Sequence, residues 1–474
     1  MKHTPYAVSV AEVERLLHHL LGLGVAVPGA VPLIMNLLRT YEPRPSDVTL
    51  SHHWIEQYEW SLHNDIYCVE MRNTFRGREF HWLARLFFNH DVTLIGIIND
   101  EGVVELNPHC VTSSATKMIV IAKCLQAARR AINEVERVCC APFTEEDVKS
   151  DHAGMMFDDE RHAHITLRGV TGGGIEALQK VDDAYDLENH FVIIDLAIAK
   201  ARAPETEGAQ VGSLTSAAAD VFHVLRSIRQ TYSQNDIVLL TQDTSFSAYF
   251  ERYWNSLRGA IPVRHVEGCG LNENDLRRCN VKNSAGILIF ISGDISGAST
   301  SGLSMLVDLS LAAILPSFHN IPVVVELDSL QHLSLFPPYA EDDLLHQKAE
   351  VDFVFEPNYI IGNALSRHML FPLVHRTYFM EEFIDIIDML VSGMDDDTPS
   401  LGRLPLALTP EALETYEDVA NYCLSLCYLP IGLHRRITDP RNLSLSGQRF
   451  VLTNPPRNLP VDREGDAVFY LLPT

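Results

Sequence analysis

The sequence predicts an α/β protein, a Rossmann-like doubly wound parallel sheet combined with helical hairpins and small α+β lobes. Three observations carry that expectation. Near-continuous apolar strands alternate with amphipathic helical stretches through the middle of the chain. An apolar helical hairpin followed by two short strands occurs twice. The chain of 474 residues, 46% hydrophobic and 21% charged, is large and apolar enough to build more than one core, given roughly 100–200 residues per domain.

The predicted strands of the sheet are Phe191 to Leu196, Asp236 to Gln242, Val263 to Glu267, Ala285 to Ser292 and Ile321 to Leu327. Between them the spacing of apolar residues predicts helices at Ser213 to Arg229, Ser245 to Leu257, Glu273 to Cys279 and Ser301 to Leu315. Strands with little alternation are those covered on both faces, the mark of a parallel sheet with crossover helices.

The repeat is the second organising feature. In the first half an apolar hairpin (Leu16 to Leu38) precedes a spacer, a strand (Val92 to Ile98), the turn Asp100-Glu101-Gly102 and a second strand closing in Leu106-Asn107-Pro108. In the second half a hairpin (Leu365 to Val391) precedes a spacer, then Leu429 to Leu433 and Arg449 to Pro456, reading R-F-V-L-T-N-P-P. Asn and Pro close both because neither continues a ladder well. The strand series precedes only the second copy, so the first reads as the later part of a domain. The expected boundaries are 1–140 for the partial first domain, 141–186 for a linker and 187–474 for a complete second domain. Within the last, 187–345 is the Rossmann-like lobe, 346–400 an acidic loop and helical hairpin, and 401–474 the C-terminal lobe.

Charge narrows the partners. A formal net charge of −25 repels polyanions, so no nucleic acid is expected. The N-terminus lacks a basic segment followed by a long apolar run, so no signal peptide is expected. Leu16 to Leu38 is apolar, but Pro28, Pro32 and three glycines interrupt it, so it reads as a buried hairpin and not a membrane span. The nine cysteines have no CxxC spacing. Cys139 and Cys140 are adjacent and Cys423 and Cys427 lie one turn apart, with no further ligands near either pair. The His152, His162 and His164 group reads as a surface segment, and Asp395 to Asp397 as a solvated loop.

Residues then carry a family resemblance. Trp54, Tyr58, Asn64-Asp65-Ile66-Tyr67, Phe75-Arg76-Gly77, Leu94-Ile95-Gly96-Ile97 and Leu106-Asn107-Pro108 resemble the segment closing the first RCK domain of calcium-activated, big-conductance (BK-type) potassium channels. Pro322 to Leu327, Tyr378-Phe379, Leu390-Val391-Ser392-Gly393, Tyr416-Glu417-Asp418, Ile431-Gly432-Leu433 and Phe450 to Pro456 are similar to the second RCK domain and its C-terminal lobe. The resemblance implies a cytoplasmic regulatory region, part of a gating ring, that couples a cytosolic ligand to potassium conductance and is not an enzyme. It implies other RCK domains and channel subunits as partners, in a tetrameric ring on the cytoplasmic face of a membrane. The pore-forming region lies outside this chain, which has no membrane span of its own.

The resemblance also suggests site residues. The family's calcium bowl follows the P-V-V-V-E-L strand. At that place stand Glu341, Asp342 and Asp343, a reduced acidic run that makes Ca2+ the candidate regulatory ligand. Leu370, Phe371, Leu373, Phe383, Ile386, Ile387 and Leu390 make the second hairpin apolar on more than one face, so it is expected to dock against a neighbouring domain.

Two other readings compete. A soluble RCK-like binding module keeps the fold and drops the pore. An NAD-dependent oxidoreductase would need G-x-G-x-x-G after the first strand, so that backbone N–H groups approach a pyrophosphate. Ile193 to Ala199 contains no glycine.

Overall fold

In the computed structural model the described residues are 10–41, 53–109, 112–140, 178–197, 207–232, 235–242, 250, 263–293, 300–315, 321–338, 343–392, 401–409, 413–438 and 445–473. The predicted hairpin opens the chain as α1 (Val10–Ala26) and α2 (Ala30–Leu38). Gly29, at φ 91°, makes the turn between them, a backbone region that L side chains enter only at a cost. After α3 (His53–Ser61) come β1 (Asp65–Glu70), α4 (Phe80–Phe88), β2 (Thr93–Asn99), β3 (Val104–Leu106), β4 (Ala115–Ala122) and α5 (Leu125–Cys140). The four strands form an antiparallel sheet in the order β1-β4-β2-β3. Phe80, Leu83, Ala84 and Phe87 give α4 one buried apolar face, which packs on β2.

The middle of the chain builds the parallel sheet. Its strands are β5 (Leu178–Val181), β6 (His190–Asp195), β7 (Ile237–Thr241), β8 (Val263–Glu267), β9 (Ser284–Phe290), β10 (Val323–Leu327) and β11 (Ala364–Ser366). The longer described helices are α6 (Glu207–Thr231), α7 (Glu273–Arg278), α8 (Thr300–Ile314) and α9 (Asp343–Val351), with a single helical turn at Pro357–Ile360 before β11. Each of the five predicted strands is present within two residues of its expected ends. The predicted helix at Ser245 to Leu257 lies outside the described residues, apart from Phe250. Strand order is β11-β10-β9-β6-β7-β8-β5, with every pairing parallel. The six strands from β6 to β11 thus run 3-2-1-4-5-6, the doubly wound order, with β5 added at one edge. In β6, β7 and β10 every residue is buried, which explains their unbroken apolar character.

Two strands of this sheet were not expected. β5 reads L-Q-K-V and shows the half-exposed pattern of an edge. β11 occupies three residues at the start of what reads as a helical hairpin. That hairpin itself is α10 (Phe371–Phe379) and α11 (Phe383–Ser392).

The C-terminal lobe contains β12 (Leu401–Pro405), α12 (Tyr416–Ser425), β13 (Leu429–Arg436), β14 (Arg449–Thr453) and β15 (Ala467–Leu471). A capping box between Thr415 and Asp418 starts α12. The sheet order is β12-β15-β13-β14. Numbered within each lobe, both antiparallel sheets therefore follow the order 1-4-2-3, with a helix between strands 1 and 2. The internal repeat is a repeat of structure.

The chain forms two compact units that do not follow chain order. One contains Met1–Pro32, Leu167–Val374 and Pro440–Gln448; the other contains Leu33–Thr166, His375–Asp439 and Arg449–Thr474. In the first unit α1, from the first copy, covers the parallel sheet and packs along α6. Gly22 permits that approach, since a Cβ there would stand 2.3 Å from the Val224 carbonyl oxygen. His19 Nδ1 and Ser227 Oγ meet at 2.8 Å. Leu16, Leu17, Leu20 and Leu21 are all at most 1% exposed, each contributing about 1.5–3 kcal/mol by burial. The second unit holds both antiparallel lobes.

Candidate functional site

In an open doubly wound sheet the ligand crevice lies beyond the carboxyl ends of the strands at the switch point, here between β6 and β9. Asp195 ends β6 and fills this position. It accepts hydrogen bonds from the backbone N–H of Ala197 (3.0 Å) and Ser292 (3.0 Å), and from the hydroxyls of Ser292 (2.8 Å) and Thr241 (3.3 Å). Four donors from three strand ends thus converge on one carboxyl group. Asp220 on α6 accepts from Gly293 N–H at 2.9 Å, and its Oδ1 lies 3.2 Å from His18 Nδ1 on α1. Glu326 on β10 accepts from Ile291 N–H at 3.2 Å.

Burial dominates the electrostatics. It raises the pKa of Glu326 to about 7, opposed by the Ile291 N–H and Arg367. It raises Asp220 to about 6, opposed by the Gly293 N–H and Arg367. Asp195 is raised as well, its hydrogen bonds working against the same desolvation. Burial drives His18 down to about 4, so its imidazole is neutral at physiological pH. Three buried carboxyl groups with raised pKa thus crowd this end of the sheet, where a pyrophosphate would need backbone N–H donors in their place. The absence of a glycine turn in the sequence agrees with that chemistry.

The predicted metal residues sit next to this sheet in sequence. Glu341 and Asp342 lie outside the described residues; Asp343 opens α9, and its side chain is also outside them. Of the hairpin residues, Leu370, Leu373, Phe383, Ile386, Ile387 and Leu390 are at most 1% exposed. Phe371 is 59% exposed, and Val374 and Tyr378 continue its row along α10. In the second unit α11 packs on β3 of the first copy. Glu382, just before α11, pairs with Lys117 of β4. Arg376 donates to Thr40 Oγ1 at 3.1 Å and lies 3.5 Å from Asp65.

The two lobes of the second unit are locked by a reciprocal pair of asparagines. Asn107, after β3, and Asn454, after β14, occupy equivalent places with φ of 47° and 45°. The Asn107 carboxamide donates to the carbonyls of Cys427 and Leu471, both at 2.9 Å. The Asn454 carboxamide donates to Asp91 O at 3.2 Å and Asn64 Oδ1 at 3.1 Å, and accepts from Thr93 at 2.9 Å. Asp91 and Cys427 each stand two residues before their lobe's second strand, at φ of 57° and 59°. Arg435 adds a bidentate contact to Asp466 and a bond to Gln57 Oε1 at 3.1 Å. The Asn-Pro endings singled out in the sequence as strand terminators are thus also interlobe clasps.

One reading is corrected. Cys427 does have further ligands nearby, because folding brings His81 of α4 and His109 beside it, with ligand atoms all within 4.8 Å of one another. Separations of more than 300 residues hid this group from spacing rules.

These features define a fold class: two copies of one plan, a helical hairpin followed by a four-stranded antiparallel lobe, that exchange parts around a doubly wound parallel sheet. The chain superposes on the human SLO3 gating ring with a TM-score of 0.69, covering 97% of this chain and 75% of that one at 20% identity. At that identity the likeness establishes the fold. The GsuK RCK domain follows at 10% identity, covering 98% of this chain and 67% of that one, with a TM-score of 0.24, too low to support an argument. In sequence, residues 9–97, from α1 into β2, match the family model of the calcium-activated BK potassium channel alpha subunit. No curated protein sequence matches the chain. Among the described residues no helix is long and apolar enough to cross a membrane.

Proposed function

We propose that this chain is the cytoplasmic regulatory region of a BK-type potassium channel subunit, coupling a cytosolic ligand to potassium conductance. The observation that carries the reading is the gating-ring fold over 97% of the chain, reinforced by the family match at its N-terminal end. In this reading residues 1–140 close a first RCK domain, 141–186 link, and 187–474 form the second. Its partners are other RCK domains and channel subunits in a ring of four at the cytoplasmic face of a membrane. The burial of α1 against the parallel sheet and of α11 against β3 supports docking of each hairpin onto the other copy.

A ligand gates by binding one arrangement of the ring better than another. Ca2+ is the ligand to test, with Glu341, Asp342 and Asp343 as its carboxylates and backbone carbonyls completing the oxygen set. Inside-out patches from cells co-expressing the chain with a pore-forming BK-type subunit lacking its own gating region test the function. Cation-dependent potassium current is expected to return; current that ignores the chain contradicts the proposal. Calorimetry assigns the ligand. Heat on Ca2+ addition that disappears when the three acids become Asn or Gln supports the acidic run, and no heat at millimolar Ca2+ removes it.

A further inference from the structure

We propose that His81, His109 and Cys427 form a binding site for a zinc-class transition-metal ion that joins the two lobes of the second unit. The group contains the donors such an ion takes: two imidazoles and a thiol, from three separate parts of the chain. His81 projects from α4, His109 follows the Asn107-Pro108 clasp, and Cys427 precedes β13 of the other copy. Their ligand atoms lie within 4.8 Å of one another. Tetrahedral zinc, with bonds of about 2.0–2.3 Å, brings ligands to about 3.4 Å, a closure that small side-chain rotations supply. The His81 and His109 rings already stand 5.2 Å apart, centroid to centroid.

The site is prepared in a way that core packing does not require. His81 is only 6% exposed, and its ring lies against the Cys427 backbone and the Asn107 carboxamide, but its Nε2 makes no hydrogen bond of normal geometry among the described residues. A desolvated ring nitrogen without a well-formed hydrogen bond costs stability, and a metal ion is a partner that an imidazole beside a thiol suits. Cys427 is a free thiol that gives up its proton when it ligates. His109 is exposed, which gives the ion an entrance and leaves the fourth coordination position to water or another ligand. The clasp residue Asn107 is bonded to the carbonyl of Cys427 itself, so an ion here reinforces the reciprocal lock between copies.

Titrating the purified, reduced chain with Co2+, and with Zn2+ in competition, tests the proposal. The expected result is one tightly bound ion with a thiolate-to-Co2+ charge-transfer absorption that Zn2+ displaces. Cys427→Ser should abolish that absorption. His109→Ala should weaken binding at least tenfold and remove the rise in melting temperature caused by Zn2+. The proposal is overturned if the absorption persists in Cys427→Ser, or if wild type and His109→Ala bind and melt alike with Zn2+. Neither readout depends on channel activity.

Discussion

At the scale of single residues, the chain spends its polar groups on locking copies and strands together. Asn107 is the clearest case. Removing its carboxamide leaves the Cys427 and Leu471 carbonyls without that donor, at about 1–3 kcal/mol. An alanine also bears a left-handed backbone cost of about 1–2 kcal/mol. Asn107→Ala is therefore expected to lose roughly 2–5 kcal/mol in denaturant unfolding, and Asn107→Gly, which tolerates φ 47°, to lose less. Equal losses would contradict the backbone part of that account.

Glu326 supplies a residue-scale pH test. Burial raises its pKa from 4.5 to about 7, so the folded state holds a proton that the unfolded state releases. Its contribution to stability is complete below about pH 4.5 and is lost as pH rises through 7, about 3 kcal/mol in all. His18, depressed to about 4, acts in the opposite sense, so its contribution is lost as pH falls towards 4. The melting temperature of Glu326→Gln relative to wild type isolates the carboxyl group. The difference should grow in favour of the variant from pH 5 to pH 8, whereas a pH-independent difference would contradict the assignment.

At the scale of elements, the hairpins separate into buried and exposed apolar positions. Ile386 is 0% exposed on α11, so Ile386→Glu buries a charge without a partner and is expected to cost about 4 kcal/mol or more. Lower melting temperature and altered sedimentation are the readouts, and a variant that behaves as wild type would contradict the docking of α11. Phe371→Glu, at a position 59% exposed, should leave melting unchanged and, if α10 meets another chain in a ring, reduce association.

Elements also show what sequence reading reaches. Strands such as β6 and β10 were legible because burial on both faces writes a nearly continuous apolar run, as in F-V-I-I-D and V-V-V-E-L. β5 was missed because an edge strand keeps polar residues, and β11 because three apolar residues within a longer apolar run carry no period of their own. Asp195 and Glu326 did leave a signal: an acid inside or closing an otherwise apolar strand is a buried carboxyl group in need of donors.

At the scale of the whole molecule, the two copies exchange parts. The first copy's α1 covers the second copy's sheet, while the second copy's α11 packs on the first copy's β3. The repeat itself was readable because both lobes preserve their strand endings. The exchange was not, because it rests on contacts such as Asn107 to Leu471, 364 residues apart. A separation of more than 300 residues likewise concealed Cys427 from His81 and His109.

The central claim is that this chain is a gating-ring component, and imaging its assembly tests it most directly. Electron microscopy of the purified chain, with and without millimolar Ca2+, is predicted to show closed four-fold rings whose diameter or population changes with the cation. A monodisperse monomer at every concentration and in both conditions would contradict it.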